Sequence, residues 1–427
     1  MNRPYYGWIV VLACFLGTFV VFGLSYSFGV FLERMADDFA RSRGVTTIAF
    51  GVQTLMLYVG AVLVGVFVDR LGTRRMLAVG TAVLCLGMVW TSLASSWVTV
   101  VLAYGVVTGI GMSIVYVVAY ATVPRWFDRR AGFAGGVASA GLGVGMLVVA
   151  PAATVLIDRV GWRSSFLVLA GVVAILLLVA TVLIRDEPTT EPIPSGEFVD
   201  EPRSLEADGD GDRRTNDEND DARASEATER PSVGEQLADV YAIARSPSFV
   251  LVFVGWVAIY TTMYIIFVHL VVYASDIGLS RAAGATALAV IGGANAIGRV
   301  GIGYVSDYVG RVRVFAGCSA IMGVSTLTLP VIETTVALFA FALVFGLAYG
   351  GNGALLAPLT GDLFGRANLN AVFGLISGAF ALSGLVAPFL AGVGYDTLGT
   401  YDPAFALAGV AAVLGAMAIV AADRLQD

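Results

Sequence analysis

The chain contains a succession of long apolar runs, and this pattern restricts its fold more than any other feature of the sequence. A helix that crosses the hydrocarbon core of a bilayer needs ~20 predominantly apolar residues, while charge, proline and glycine collect in the loops. Because lipid offers no partners to backbone polar groups, such runs predict an all-α polytopic membrane protein with 12 transmembrane helices. The twelve runs lie at about 6–32, 46–68, 76–95, 98–122, 131–157, 163–184, 248–273, 283–306, 313–332, 335–358, 369–394 and 402–422.

The composition excludes a water-soluble globular protein. Of 427 residues, 58% are hydrophobic and 13% are charged, whereas soluble domains average roughly 25% charged residues. All 25 basic residues are arginine, and acidic sequence without lysine is typical of salt-adapted, halophilic proteins. Cys14, Cys85 and Cys318 lie singly in apolar runs, so neither a disulfide nor a metal or redox site is expected. No cofactor and no nucleic-acid partner are predicted.

Arginine counts in the short loops predict the orientation in the membrane. One side carries eleven loop arginines and the other carries six. Since the side with more arginines faces the cytoplasm, both termini and the central loop are expected in the cytoplasm of a cell-membrane protein. The first run is too long for the apolar region of a cleavable signal peptide and is expected to remain as a span. The eleven are Arg3, Arg70, Arg74, Arg75, Arg125, Arg129, Arg130, Arg311, Arg313, Arg366 and Arg424, and the six are Arg34, Arg41, Arg43, Arg159, Arg163 and Arg281.

One hydrophilic stretch separates spans six and seven. Residues 185–247 hold more than half of the 32 acidic residues, and 204–230 contain almost no bulky apolar side chains. Such a sequence cannot offset the entropy of ordering. We therefore expect a cytoplasmic acidic, largely disordered linker between an N-terminal six-helix bundle (1–184) and a C-terminal one (248–427).

The two halves repeat each other. A short-loop motif follows span two and recurs after span eight, so that Asp307 is the counterpart of Asp69. A second pair of segments, Phe127–Pro151 and Phe364–Pro388, has equal internal spacing, and its offset along the chain differs from that of the aspartates by a single position. Because two independent pairs of landmarks are separated by nearly the same number of residues, the sequence predicts two pseudo-symmetric six-helix bundles.

Each copy of the short-loop motif has an aspartate at the end of one helix, a glycine three residues later and arginines at the start of the next helix. The carboxylate can then face helix N-termini and guanidinium groups of a neighbouring helix. We expect a gating latch that ties the halves together on the cytoplasmic side in one conformation. Its residues are Asp69, Gly72, Arg74 and Arg75 in the first copy and Asp307, Gly310, Arg311 and Arg313 in the second.

The duplicated motif, G-x-x-x-D-x-x-G-x-R-R, resembles the signature of the major facilitator superfamily over essentially the whole chain. The resemblance implies two bundles around a midplane cavity that work by alternating access. Three passages are similar to the monocarboxylate transporter group and the related oxalate/formate antiporters, although the acidic residue and second glycine of the strict eukaryotic signature are missing from span one. They are Tyr6–Trp8 with Tyr26–Phe31, Arg125–Gly141, and His269–Gly278.

Arg299 places a charge inside an apolar span. It lies in span eight, eight residues before Asp307, a depth of about 12 Å at 1.5 Å per residue. Arginine there costs several kcal/mol unless it faces a wet cavity and binds an anion, and no acidic residue is predicted nearby. The natural partner is a carboxylate held by the guanidinium fork. The resemblance implies the same role for an arginine at this point, and snorkelling to the cytoplasmic surface is the alternative.

The number of intramembrane cations indicates the substrate. The resemblance associates dicarboxylate antiport with a lysine in helix eleven, but 370–393 contain no Lys, Arg or His. A monocarboxylate such as lactate, pyruvate or acetate is therefore expected. Further polar residues are expected to line the cavity, and Tyr116 and Tyr120 share a helix face. These residues are Asn295, Tyr26, Tyr116, Tyr120, Tyr349, Asn352, Ser377 and Ser383.

Proton coupling is expected, but its mode stays open. Asn295 stands one turn before Arg299, where the resemblance implies a proton-coupling aspartate. His269 is the single histidine, and its reference pKa of about 6.5 makes it a candidate proton relay. A hydrogen-bonded histidine near the outer end of span seven is the alternative.

Other classes of function fit the sequence less well. An enzyme is not expected, because neither an H-E-x-x-H motif nor the histidines of a catalytic triad occur. An efflux antiporter of another organic anion or drug remains an alternative, although Gly145 is six residues from Pro151 and matches a Gly-Pro efflux motif poorly. A non-transporting carboxylate sensor of the same fold is a third. The expected partners are a small organic monoanion, protons and lipid, and no oligomeric state is indicated.

Overall fold

The computed structural model describes residues 6–127, 131–185, 240–365 and 369–425, without the side chains of 65–70, 131–132, 307 and 370. Within these ranges the chain is helical and contains no strand. The linker residues 186–239 lie outside the described ranges, and so do the side chains of Asp69 and Asp307. The domain boundaries, the linker's disorder and the latch therefore stay predictions.

The N-terminal half begins with four spans. Span one is Gly7–Tyr26 continued by Phe28–Asp38, span two is Arg43–Leu71, and span three is Thr73–Ser92. Span four combines Trp97–Val100, a π-helix at Val101–Thr108, and Gly109–Thr122.

Spans five and six are joined through Gly161. They occupy the single range Ala131–Leu183, in which Gly161 has a φ of 79°. The chain reverses there, because Phe166 packs on Phe31 near the turn, while Leu183 accepts a 3.0 Å hydrogen bond from Tyr6 at the opposite end. Eleven helices in the described residues are long and apolar enough to cross a membrane. Since one of them contains this turn, the prediction of twelve spans is confirmed.

The C-terminal half contains the remaining six spans. In order they are Pro247–Asp276, Arg281–Val309, Arg311–Leu327, the pair Thr335–Ala354 and Leu356–Phe364, then Leu369–Leu398 and Asp402–Arg424. Span ten is thus interrupted at Leu355.

Turn glycines repeat with the sequence offset of the two halves. Gly72 (φ 81°) and Gly310 (φ 101°) follow spans two and eight, and Gly161 (φ 79°) and Gly399 (φ 73°) follow spans five and eleven. Each pair has the same separation along the chain as Asp69 and Asp307. A residue with a Cβ would be strained at these left-handed angles. The duplication seen in the sequence is therefore present in the turns.

Two pairs of spans hold the halves together. Span five crosses span eight where Gly143 meets Gly292: a Cβ on either would lie 2.5 or 2.6 Å from the other's carbonyl oxygen. Span two crosses span eleven, where Tyr58 stacks on Phe380 with ring centroids 5.2 Å apart. Small residues allow helix backbones to approach this closely without a barrier of side chains.

Free space lies beside span five toward one end of the molecule. We call the end that bears residues 127, 131, 185 and 240 the linker side, and the opposite end the far side. On span five, Gly136 lies on the face that carries Ser139 and Gly143, one turn or more closer to the linker side. A Cβ at Gly136 would meet no atom of the described residues within 4 Å. Among the described residues, the cleft between the halves therefore has free space beside Gly136 on the linker side.

Candidate anion-binding site

Arg299 lies half-buried in span eight, facing the cleft between the halves. Its Nε donates to Asn295 Oδ1 at 3.2 Å, and its Nη1 donates to Ser139 Oγ on span five of the other half at 3.4 Å. In the described part of the chain, no carboxylate pairs with it. Guanidinium has five N–H donors, so several stay available to an anion.

Tyrosines from both halves surround this guanidinium. Tyr116 and Tyr120 of span four and Tyr260 and Tyr349 of spans seven and ten lie within electrostatic range of Arg299. The Tyr349 hydroxyl interacts with both Arg299 and the Tyr26 hydroxyl. A phenol donates well to a carboxylate while its ring presents an apolar face. Three of the four predicted tyrosines, Tyr116, Tyr120 and Tyr349, therefore lie near Arg299, and Tyr26 joins them through Tyr349.

Three further aromatic residues of this cluster were missed by the sequence analysis. Tyr58 lies beside Tyr116 with ring centroids 6.0 Å apart, and Tyr264 lies 6.4 Å from Tyr26. Tyr260 packs on Phe380 at 4.3 Å. Tyr260 and Tyr264 are four residues apart on one face, the same signal that singled out Tyr116 and Tyr120, and it could have found them.

The predicted polar residues divide into two groups. Asn295 Nδ2 is buried without a partner among the described residues and is available beside Arg299. Asn352, by contrast, is fully buried: its Oδ1 accepts from Tyr260, and its Nδ2 donates to Ser319 Oγ at 2.8 Å. Its amide therefore ties three spans of the C-terminal half together. Ser377 and Ser383 donate to the backbone carbonyls of Phe373 and Val257.

The end of a helix helps to hold the cation. The guanidinium lies against Gly353, in the last turn of Thr335–Ala354, the first helix of span ten. Carbonyl groups at a helix C-terminus carry partial negative charge. This environment, together with the phenols, stabilises a guanidinium that lacks a carboxylate partner in the described structure.

The chain matches a family model and known transporters along its length. The model described as Major Facilitator Superfamily matches residues 14–307 and 252–425. The chain belongs to the major facilitator superfamily. It is similar to monocarboxylate transporter 12 of Rattus norvegicus (27% identity over 421 residues, 96% of this chain and 84% of the relative). It is also similar to monocarboxylate transporter 13 (26%, 97% and 88%) and monocarboxylate transporter 4 (26%, 97% and 82%) of the same organism.

A solved structure supports the fold of this major facilitator protein. It is a bacterial homologue of the human lysosomal transporter Spinster, crystallised in an inward-facing, unoccupied conformation. The TM-score is 0.66 at 13% identity, covering 99% of this chain and 96% of the other. Together, the family match and the similar transporters show that the protein is a multi-pass membrane transporter rather than an enzyme and that it resembles the monocarboxylate group.

The far side of this transporter is closed by a cluster that we call the far-side clamp. Arg43, at the start of span two, binds Asp276 of the other half through both of its terminal nitrogens, at 2.5 and 2.9 Å. The Asp396 carboxylate accepts from the backbone N–H groups of Arg43 and Gly44 at 3.0 and 2.9 Å. The Arg43 guanidinium also lies 4.1 Å from the Tyr395 ring centroid. Charge-assisted contacts of this kind fix the relative position of the halves.

The clamp has a second member related to the first by the internal repeat. Arg281, at the start of span eight, donates to the Val30 carbonyl of the N-terminal half, and its Nη1 lies 3.9 Å from Asp158. Arg43 and Arg281 are separated along the chain by the repeat offset, and so are Asp158 and Asp396. Each half therefore contributes one arginine that reaches into the other half.

His269 belongs to the same region as the clamp. It is fully buried in span seven, where Nε2 lies 2.9 Å from the Pro388 carbonyl and Nδ1 lies 2.9 Å from the Tyr401 hydroxyl. Burial raises the pKa of the Tyr401 phenol above its ordinary value, so the hydroxyl keeps its proton. Since a carbonyl only accepts, Nε2 carries the ring proton and Tyr401 donates to Nδ1. Arg43 Nη1 donates to Tyr401 at 3.3 Å, which links the histidine to the clamp.

The predicted latch is described only in part. Gly72 and Gly310 form the expected turns, while Arg74, Arg75 and Arg313 are exposed on the linker side. Arg311 pairs with Asp362 of span ten at 2.9 Å, a contact within the C-terminal half. The latch role of these residues stays a prediction.

Proposed function

We propose that this transporter moves small monocarboxylates across the cell membrane, with the substrate carboxylate bound by Arg299. The observation that carries the proposal is a half-buried guanidinium that faces the cleft, pairs with no described carboxylate and is ringed by phenols from both halves. An anion supplied from solution satisfies such a cation best. The names of the similar monocarboxylate transporters support the same class of substrate.

The chemistry of the lining favours an acid with one negative charge and no positive one. Arg299 is the one cation among the described residues of the cleft, which suits a single carboxylate. An ammonium group on the substrate would need a carboxylate partner, whereas the described groups around Arg299 are phenols, the Asn295 amide and the Ser139 hydroxyl. Aromatic faces pack well against a short apolar tail. Lactate-like, pyruvate-like and acetate-like acids fit this chemistry.

We also propose that transport works by alternating access and is coupled to protons. The clamp joins the halves on the far side, while the described residues leave free space beside Gly136 on the linker side. An inward-open end state of a two-bundle carrier would have this arrangement. We assign the linker side to the cytoplasm from the arginine distribution. His269 is the candidate group for proton uptake because it contacts Tyr401, which in turn contacts the clamp residue Arg43.

Uptake by reconstituted protein tests the site. Proteoliposomes would be given labelled lactate, pyruvate or acetate, with wild-type protein, Arg299→Ala, Arg299→Lys and the exposed control Arg424→Ala. Removing one member of a buried charge pair costs about 2–5 kcal/mol, so we expect Arg299→Ala to lower kcat/KM at least ~30-fold. Arg299→Lys should keep part of the activity, since the lysine ammonium keeps the positive charge but cannot bind a carboxylate in the bidentate way of a guanidinium.

Two results would contradict the proposals. Uptake by Arg299→Ala equal to that of Arg424→Ala would exclude Arg299 as the carboxylate site. Equal wild-type uptake with and without an imposed pH gradient would exclude proton symport.

A further inference from the structure

Gly353 lies directly beneath the guanidinium of Arg299. It is half-buried at the cleft. A Cβ at this position would lie 2.8 Å from Arg299 Nη2, 3.2 Å from Cζ and 3.7 Å from Nη1. Since all three atoms belong to one planar group, the guanidinium rests flat against the place where any other residue would have its side chain.

Gly353 differs from the neighbouring glycines that pack span ten on span eight. A Cβ at Gly350 would lie 2.2 Å from the Asn295 carbonyl oxygen, and one at Gly298 would lie 2.3 Å from the Leu347 carbonyl oxygen. Those two collisions are with backbone, so they separate the helices. The collision at Gly353 is with the end of a flexible side chain, which can move while the helices stay in contact.

The contacts of Arg299 define the direction in which it would move. Gly353 lies on the span-ten side of the guanidinium, and Ser139 approaches it from the opposite half. Asn295 holds Nε in the same helix. A methyl group at position 353 therefore pushes the guanidinium away from span ten, toward span five and into the cleft.

We propose that Gly353 is a specificity-determining residue, which sets how deeply the carboxylate of the substrate binds and thereby how long an acid the cleft accepts. With glycine at 353 the guanidinium stays back against the C-terminal half and leaves room for the substrate's tail. A larger residue advances the guanidinium and shortens that space. This inference rests on the proposed function, because it requires Arg299 to bind the carboxylate.

A series of straight-chain acids tests this role. Uptake of acetate, propionate, butyrate and hexanoate would be measured for the wild type and for Gly353→Ala. One methylene in a shaped apolar site changes discrimination by about 10–200-fold. We expect Gly353→Ala to lower the ratio of kcat/KM for hexanoate to that for acetate by at least ~10-fold, mainly through KM of the longer acids. An unchanged ratio would overturn the proposal.

Gly301→Ala is the matched control. Gly301 lies in span eight, two residues after Arg299, and a Cβ there would meet no atom of the described residues within 4 Å. The ratio of kcat/KM for hexanoate to that for acetate in Gly301→Ala should therefore equal that of the wild type. A general packing defect lowers the number of active carriers equally for every acid and leaves the ratio unchanged. Failure of Gly353→Ala to fold would also contradict the proposal, because the guanidinium rather than the backbone must give way.

The outcomes separate this inference from the proposed function. Absence of monocarboxylate uptake by the wild type, or full activity of Arg299→Ala, would refute the proposed function itself. Loss of uptake in Arg299→Ala with an unchanged chain-length ratio in Gly353→Ala would refute the role of Gly353 alone.

Discussion

At the scale of single residues, the site depends on an arginine that the chain itself does not neutralise. Asn295 stands one turn before Arg299 and accepts a hydrogen bond from Nε. Its amide oxygen orients the guanidinium and leaves its positive charge intact. A neutral neighbour therefore keeps the guanidinium available to an external carboxylate.

Replacing this amide by a carboxylate should make substrate binding depend on pH. In Asn295→Asp, the ionised form of the new side chain would pair with Arg299 and compete with the substrate. Protonation at lower pH removes this competition, so uptake at equal internal and external pH should rise as pH falls. Uptake would be measured from pH 5 to 8 in proteoliposomes of the variant and of the wild type. Identical pH profiles would show that position 295 does not control the charge at the site.

At the scale of helices, the ends of spans two and eight close the far side. The first backbone N–H groups of span two lack partners within their own helix, and Asp396 of the other half accepts from two of them. The helix dipole favours a negative charge at this position. Opening the far side must break these bonds together with the Arg43–Asp276 pair.

Weakening the clamp should shift the protein toward a far-side-open state. Asp396→Asn keeps one acceptor at the start of span two but removes the negative charge and the second acceptor. A charge at a helix terminus contributes up to about 1 kcal/mol, or about a fivefold shift in population. The readout is a labelling rate. A membrane-impermeant maleimide is added from the far side, and its reaction with the thiol of Thr54→Cys is followed in a protein without other cysteines. Thr54 is buried against Gly384 of the other half.

Glu333→Gln is the control for the clamp. Glu333 is an exposed acid on the same side, and its replacement should leave the labelling rate unchanged. If Asp396→Asn is labelled no faster than Glu333→Gln, the clamp does not hold the far side closed.

At the scale of the whole molecule, the two bundles meet where glycine faces glycine. The crossing of spans five and eight allows no side chain, since a Cβ on Gly143 or Gly292 would collide with the opposite backbone. This crossing lies between the clamp and Arg299. The far-side-closed state therefore requires both glycines.

A larger residue at this crossing should prevent closure of the far side. We expect Gly143→Val to abolish uptake, because a carrier held open at one end cannot complete its cycle, while labelling of Thr54→Cys increases. Gly171→Val is the control: a Cβ at Gly171, in span six, would meet no atom of the described part of the chain within 4 Å, and uptake should persist. Normal uptake by Gly143→Val would show that the crossing is not needed for transport.

The sequence predicted the spans better than their interruptions. Span one continues to Asp38 rather than ending near 32, and span ten, predicted as one helix over 335–358, is interrupted at Leu355. Hydropathy measures whether a run is apolar, and it does not detect a local change of backbone angles. The prediction of the residues that line the site was also incomplete. Ser139, Tyr58 and Gly353, taken as single residues, carry no sequence pattern that indicates a place in the site.

The number of spans, the duplication and the position of the intramembrane arginine could all be read from the order and composition of the residues. The contacts of Ser139 and Gly353 with Arg299, the bonds of Asn352 within its own half, and the reach of Arg43 to Asp276 and Asp396 became visible only in the folded protein. These contacts were not predictable because the spans are apolar around most of their circumference. Periodicity therefore does not distinguish the face toward lipid from the face toward the cleft, and only the packing of helices does.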